Sequence, residues 1–205
     1  MSLERRHQGP VGWPVRGVRR HGRPGRVAQD SPEATRLFEL RSDPVRDLAT
    51  QAGAVAEACH AMAIRFHGGG KLIVFGTGGA SADAQHVAVE FVHPVIVGKR
   101  ALPAISLTAD IATVTGIAES AGVTAIFAHQ LRYLAAPADI ALGISADGGN
   151  DSVLAGLVTA RELGLLTIAL VGGDGGPAHG ALPITVLICW TTPHNCPTVL
   201  PWPRW

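Results

Sequence analysis

The sequence predicts an α/β protein built on a parallel sheet with helices covering both faces. Two observations carry this. Four short apolar runs, at residues 71–75, 102–107, 138–144 and 165–171, alternate with stretches of helical character. The runs are almost continuously apolar rather than alternating apolar and polar, as strands buried on both faces are.

The elements follow in order. Ser31-Pro32 and Asp43-Pro44 each place a capping side chain before a proline at a first helical position. The second opens an Ala-rich helix over residues 44–66, which Gly68-Gly69-Gly70 ends. Its small apolar face suits packing between subunits or within one chain. The first strand follows, then a helix over 81–93, the second strand, and helices over 110–117 and 122–135. The third strand leads to a helix over 151–163 that stops at Gly164, a residue suited to the position after a helix. After the fourth strand, residues 183–188 read as a fifth.

The net charge of +1 is unevenly spread across the 205 residues. Residues 1–30 carry seven Arg against Glu4 and Asp30, a balance of +5, with five Gly and three Pro. This segment reads as a disordered basic arm, a solvated tail rather than an RNA- or membrane-touching element. Residues 31–181 carry nine basic and fourteen acidic side chains, a balance of −5. Three cysteines in no metal-ligand spacing indicate neither a disulfide framework nor a zinc ribbon, and point to a reducing cytoplasm. No apolar run reaches the ~18 residues of a membrane span, and no apolar region follows the basic start as in a secretory signal. Neither nucleic acid nor membrane is an expected partner. The domain is expected over 31–188, followed by an irregular Pro- and Trp-rich tail over 189–205. Pro193, Pro197, Pro201 and Pro203 forbid a continuing helix there.

Ligands of such sheets bind beyond the carboxyl ends of the strands. The first loop there is Gly76-Thr77-Gly78-Gly79-Ala80-Ser81. Its backbone amides and the helix start behind it suit an anion such as phosphate, although a plain tight turn has the same composition. It is neither G-x-G-x-x-G nor a Walker loop. The second loop, residues 145–152, offers Ser145, Asn150 and Ser152 as donors, while Asp147 and Asp151 would repel a phosphate if they faced it. Asn150 or Asp151 is also a natural helix cap. A third cluster, Gly172-Gly173-Asp174-Gly175-Gly176, follows the fourth strand. On the helix after the first loop, His86 and Glu90 stand four residues apart, hence on one face, and are expected near the carboxyl edge of the sheet. An imidazole and a carboxylate so placed serve as base and partner, as two metal ligands, or as a surface hydrogen bond.

Three stretches together resemble the sugar isomerase (SIS) domain, and within it the phosphoheptose isomerase family. They are residues 74–90, with Gly76-Thr77-Gly78-Gly79 and His86 to Glu90; Gly143-Ile144-Ser145; and Ala160-Arg161-Glu162-Leu163-Gly164, followed by a strand and Gly173-Asp174-Gly175-Gly176. The resemblance spans roughly residues 45–181. It implies a flavodoxin-like three-layer α/β/α sandwich, a homo-oligomer (tetramer or dimer) and a phosphosugar as ligand. It further implies isomerisation of sedoheptulose 7-phosphate, with Glu90 as the base that moves a proton through an enediol. His86 matches a residue that ligates zinc beside the base in some members, so His86 and Glu90 would be the zinc ligands. Asp110 matches an active-site aspartate. Thr77, Gly78, Gly79, Ser81, Ser145 and Asn150 fall on the substrate- and phosphate-binding loops.

The departures are as specific. Thr77 stands where the family has Asn, Ala80 where it has Ser, Ala146 and Asp147 where it has Thr and Ser, and Asn150 in place of a further Ser. The family's C-terminal helix with Gln and, eight residues on, His has no counterpart; His194 lies among prolines. These changes set a second function class beside the isomerase: a noncatalytic SIS module that binds a phosphosugar or another protein. They also fit ends that lie outside the ancestral reading frame, because the fifteen Arg against two Lys suggest GC-rich coding DNA. Read in another frame past about codon 182, the nucleotide sequence is expected to restore an amphipathic helix with Gln and His eight apart. Sequencing the gene checks this, and no such helix in either alternative frame removes the idea.

Overall fold

The computed structural model describes residues 48–96, 98–173, 175–181 and 186–190, with isolated helical positions at 32, 35, 36, 39 and 46. The basic arm over 1–30, the cap at Ser31 and residues 191–205 of the expected tail lie outside the described residues. The elements run α1 (Ala52–His67), β1 (Leu72–Gly76), α2 (Gly79–Val92), β2 (Ala104–Ser106) and α3 (Ile111–Ala121). A 3-10 turn (Val123–Ala125) leads to α4 (Ile126–Leu134), β3 (Ile140–Ser145), α5 (Asp151–Glu162), β4 (Leu166–Gly172), α6 (Gly176–Ala181) and β5 (Val186–Trp190). Five strands form one sheet in the order β2-β1-β3-β4-β5, and every pairing is parallel.

The uniform apolarity of the strands has a direct cause. All five residues of β1 are buried, with alternate side chains entering two separate cores. Ile73 and Phe75 join Ile117, Phe127, Leu131, Val153 and Leu157 on one face. Leu72 and Val74 join Ala58, Ile140, Ile144 and Ile168 on the other. The first face is tight. The Phe75 and Phe127 rings lie 5.1 Å apart, and a Cβ at Gly156 would fall 2.7 Å from Phe75. Helix α5 can reach the sheet there only because position 156 has no side chain.

The second face is covered by α1 and α2. Ala54, Val55, Ala58, Ala61, Met62 and Phe66 recur at helical spacing along α1 and pack on the sheet beside Phe91, whose ring stacks on Phe66 at 5.8 Å. The Ala-rich face that also suited packing between subunits thus covers the protein's own sheet. The helix expected over 44–66 is interrupted: a turn at Gln51 precedes α1, with helical positions at 46 and 48–50 before it. Thr50 and Gly53, both poor helix formers, flank the turn.

The third glycine cluster leads into the six-residue helix α6, with Pro177 in its first turn. One further expectation is corrected. The fifth strand, expected at 183–188 with an irregular tail from 189, runs instead over Val186–Trp190. Pairing with β4 from Ile168↔Val186 to Gly172↔Trp190 carries it into the tail.

The amino end of the sheet is tied by one carboxylate. Asp139 accepts hydrogen bonds from Lys71 N at 2.9 Å, Lys71 Nζ at 2.6 Å and Ala136 N at 2.8 Å, joining the start of β1 to the turn before β3. Burial pushes its pKa up, but the bonds from Lys71 and Ala136 outweigh this and hold it below the usual carboxylate value. A depressed native pKa stabilises the fold above the unfolded carboxyl's pKa and loses that contribution as pH falls through the native one. Asp139→Ala, which orphans these donors, is expected to cost about 2–4 kcal/mol in denaturant unfolding at neutral pH. The difference from wild type should shrink as the solution is acidified below the unfolded carboxyl range.

Candidate active site

The chain leaves β1 toward β2 on one side and returns to β3 on the other. The sheet's switch point, where such folds open a crevice, therefore lies between the carboxyl ends of β1 and β3. The loops from both strands meet there. A Cβ at Gly76 would lie 2.8 Å from the carbonyl oxygens of both Ala80 and Ile144, so only glycine lets the first loop pass. Gly78 turns the chain with φ +58°, and Ser81 Oγ donates back to Gly78 O at 2.7 Å. No side chain caps α2, so its positive amino end, with Gly79 at its start, remains for an anion beside Thr77 and Gly78.

The second loop is folded on itself. Ser145 is buried; its hydroxyl donates to Asp147 Oδ1 at 3.3 Å and accepts from Gly148 N at 3.1 Å. Asp147 Oδ1 also accepts from Gly149 N at 2.9 Å. The aspartate that would repel a phosphate is thus occupied by its own loop, and so is the expected donor Ser145. Asn150, not Asp151, caps α5, accepting from Val153 N at 3.1 Å. Ser152 donates to Val123 O at 3.0 Å. The third glycine cluster closes over this loop: a Cβ at Gly148 would sit 2.0 Å from Gly175 O, and one at Gly176 2.5 Å from Asp147 O.

His86 and Glu90 are paired as their spacing predicts, with Nε2 and Oε1 3.2 Å apart. Eleven residues of helix separate Gly79 from Glu90, about 16 Å along the axis. Leu102 N donates to Phe91 O at 2.8 Å, so the last turn of α2 lies against the chain entering β2. The last turn of α2 therefore lies along the β2 edge of the sheet, while Gln85, bonded to Thr108, keeps the His86 turn near the carboxyl end of β2. His86, Gln85, Val89 and Val92 line an open groove of about 680 Å³ there with Ala104–Ser106. Side-chain exposures of 72% for His86 and 39% for Glu90 leave the pair accessible to solvent.

Asp110 is the N-cap of α3. The Thr113 hydroxyl donates to it at 2.6 Å, with Thr113 N and Ala112 N adding two more bonds. The Thr113 hydroxyl above all, then these amides, hold its pKa below the usual value against a small opposing effect of burial. Asp110 faces a second groove, on the other side of β2 from His86. Sequence reasoning missed the residues that join these parts. Gln85 Nε2 reaches Thr108 O at 3.2 Å, and Thr108 Oγ1 donates to Ser81 O at 3.3 Å, tying α2 to the loop after β2. Gln85 lies within the quoted motif, and the only signal for its role is its place one residue before His86.

A zinc ion takes three or four protein ligands. The His86–Glu90 pair supplies two, and among the described residues no group of three or more His, Cys, Asp or Glu converges. The described residues therefore do not complete a zinc site.

A profile of the SIS domain matches residues 42–172. The chain belongs to the SIS domain family, on its phosphoheptose isomerase branch. It is 38% identical to the phosphoheptose isomerase of Solidesulfovibrio magneticus over 142 residues, covering 69% of this chain and 70% of that one. It is 43% identical to that of Geobacter sulfurreducens over 125 residues, covering 61% and 66%. The match spans only 61% of the Desulfovibrio desulfuricans relative. The solved phosphoheptose isomerase of Neisseria gonorrhoeae superposes with a TM-score of 0.72 at 29% identity, covering 80% of this chain and 86% of that one. The SIS frame, with its three-layer α/β/α architecture, is that of the parallel sheet described above. No helix among the described residues is long and apolar enough to cross a membrane.

Asn150→Ala should cost about 1 kcal/mol of stability through loss of the α5 cap, while Asn150→Asp retains most of it. Thermal unfolding of the two variants beside wild type measures the difference.

Proposed function

We propose that this protein is an aldose–ketose isomerase of phosphosugars, acting on sedoheptulose 7-phosphate or a close analogue. The observation that carries the reading is the Glu90 carboxylate hydrogen-bonded to His86 on the helix that begins at the Gly76–Gly79 turn. Isomerisation needs a base to take the proton from C1 of the ketose and return it at C2 of the enediol. Glu90 is that base; His86, at 3.2 Å, orients its carboxylate and supplies a partner for the proton. Gly78, Gly79 and the uncapped start of α2 bind the phosphate through backbone amides. The Ser145 hydroxyl is turned to Asp147, while Asn150 caps α5 through Oδ1 and keeps its amide N–H groups for the ligand.

The noncatalytic alternative rested on the altered loops and the absent C-terminal helix. Relatives named phosphoheptose isomerase at about 40% identity and an intact acid–base pair favour the enzyme. Zinc remains an expectation of the family resemblance, and no step here is routed through it.

The exposed position of the pair supports a homo-oligomer, dimer or tetramer. An enediol needs shelter from water. Val89, Val92, Val95 and Ile96, all about half exposed or more, lie beside the pair as an apolar strip that a second copy would cover. Glu90→Gln is expected to lower turnover of sedoheptulose 7-phosphate by on the order of 10³ without unfolding the protein. Absence of turnover in the folded wild-type chain would refute the isomerase reading.

A further inference from the structure

The second groove, of about 410 Å³, opens at the carboxyl end of β2; Ile105, Leu107, Ala109 and Leu134 give it an apolar wall, and Asp110, Thr113, His129, Gln130 and Tyr133 bring polar groups to it. Gln130 is only 6% exposed. Its Nε2 donates to Leu107 O at 3.1 Å and Ile126 O at 2.9 Å. Both partners are carbonyls, so the amide nitrogen must face them and the side chain is locked in one orientation. Its Oε1 receives no hydrogen bond among the described residues, and no fully buried side-chain oxygen among them lacks a partner. The Oε1 therefore reaches the groove as a fixed acceptor awaiting a donor. Asp110, held ionised by Thr113, is a second acceptor. Tyr133, 78% exposed, pairs its ring with His129 at 5.1 Å and flanks them with an aromatic face. Neither Lys nor Arg lines the groove.

We infer that this groove is a subsite for a neutral, hydroxyl-rich ligand, a sugar without its phosphate. Its hydroxyls donate to Gln130 Oε1 and the Asp110 carboxylate, and its C–H face lies on Tyr133. A phosphate would meet a carboxylate and no cation. The inference needs no turnover, so it stands or falls apart from the isomerase reading.

Tyr133 is the single tyrosine of the chain. The full-length protein made with 3-fluorotyrosine therefore gives one fluorine resonance at the groove. Unphosphorylated sedoheptulose is expected to move that resonance saturably, and inorganic phosphate to leave it in place. Tyr133→Ala, at an exposed position that the fold does not need, should weaken sedoheptulose binding about tenfold by calorimetry. Three results would each overturn the proposal. They are a resonance unmoved up to the solubility limit of the sugar, an equal shift with tetramethylammonium, which would assign the groove to a cation, and unchanged affinity in Tyr133→Ala.

Discussion

The pairing of β1 with β3 is the constraint on which the rest depends. The two strands are hydrogen-bonded from Leu72↔Ile140 to Gly76↔Ile144, although more than sixty residues of chain leave and return between them. That adjacency puts the first and second loops side by side, with Gly76 passing under Ile144 O. It also leaves β1 buried on both faces, which obliges helices to cover the sheet twice. Asp139 secures the opposite end of the same pair by bonding Lys71 at the start of β1.

A consequence is that the chemistry of the chain is divided. The glycine turn and the uncapped start of α2 lie at the carboxyl ends of the strands, where open α/β sheets bind ligands. The His86–Glu90 pair lies beside β2, on a helix whose last turn meets the chain entering that strand. Gln85 and Thr108 span the interval, so changes at β2 reach both parts. The altered residues of the second loop read differently in this light. Asp147, which replaces a neutral family residue, is turned into its own loop by bonds from Gly149 N and the Ser145 hydroxyl. The Ser145 hydroxyl is likewise turned to Asp147, so the loop's own side chains satisfy one another.

Much of the fold was legible because strands buried on both faces leave uninterrupted apolar runs, and glycine marks where backbones cross closely. Residues 72–76, 140–145 and 166–172 could be placed within a residue or two on that ground. The break at Gln51, the helix α6 and the end of β5 were not legible. The end of β5 depends on β4 beside it, and α6 on the loop after β3 that it meets at Gly176. Propensity sees neither partner.

The sequence by itself determined the α/β class, the glycine-lined loops, and the pairing of His86 with Glu90, since a four-residue spacing on a helix permits little else. Only the tertiary structure decided where that pair lies, that Ser145 and Asp147 satisfy each other, and that Gln130 holds a buried acceptor open beside Tyr133. The first and last are relations between elements distant in sequence, and the second depends on how the loop after β3 turns. They follow from the direction of a crossover helix and from which polar atoms find partners, and no local pattern of residues encodes either.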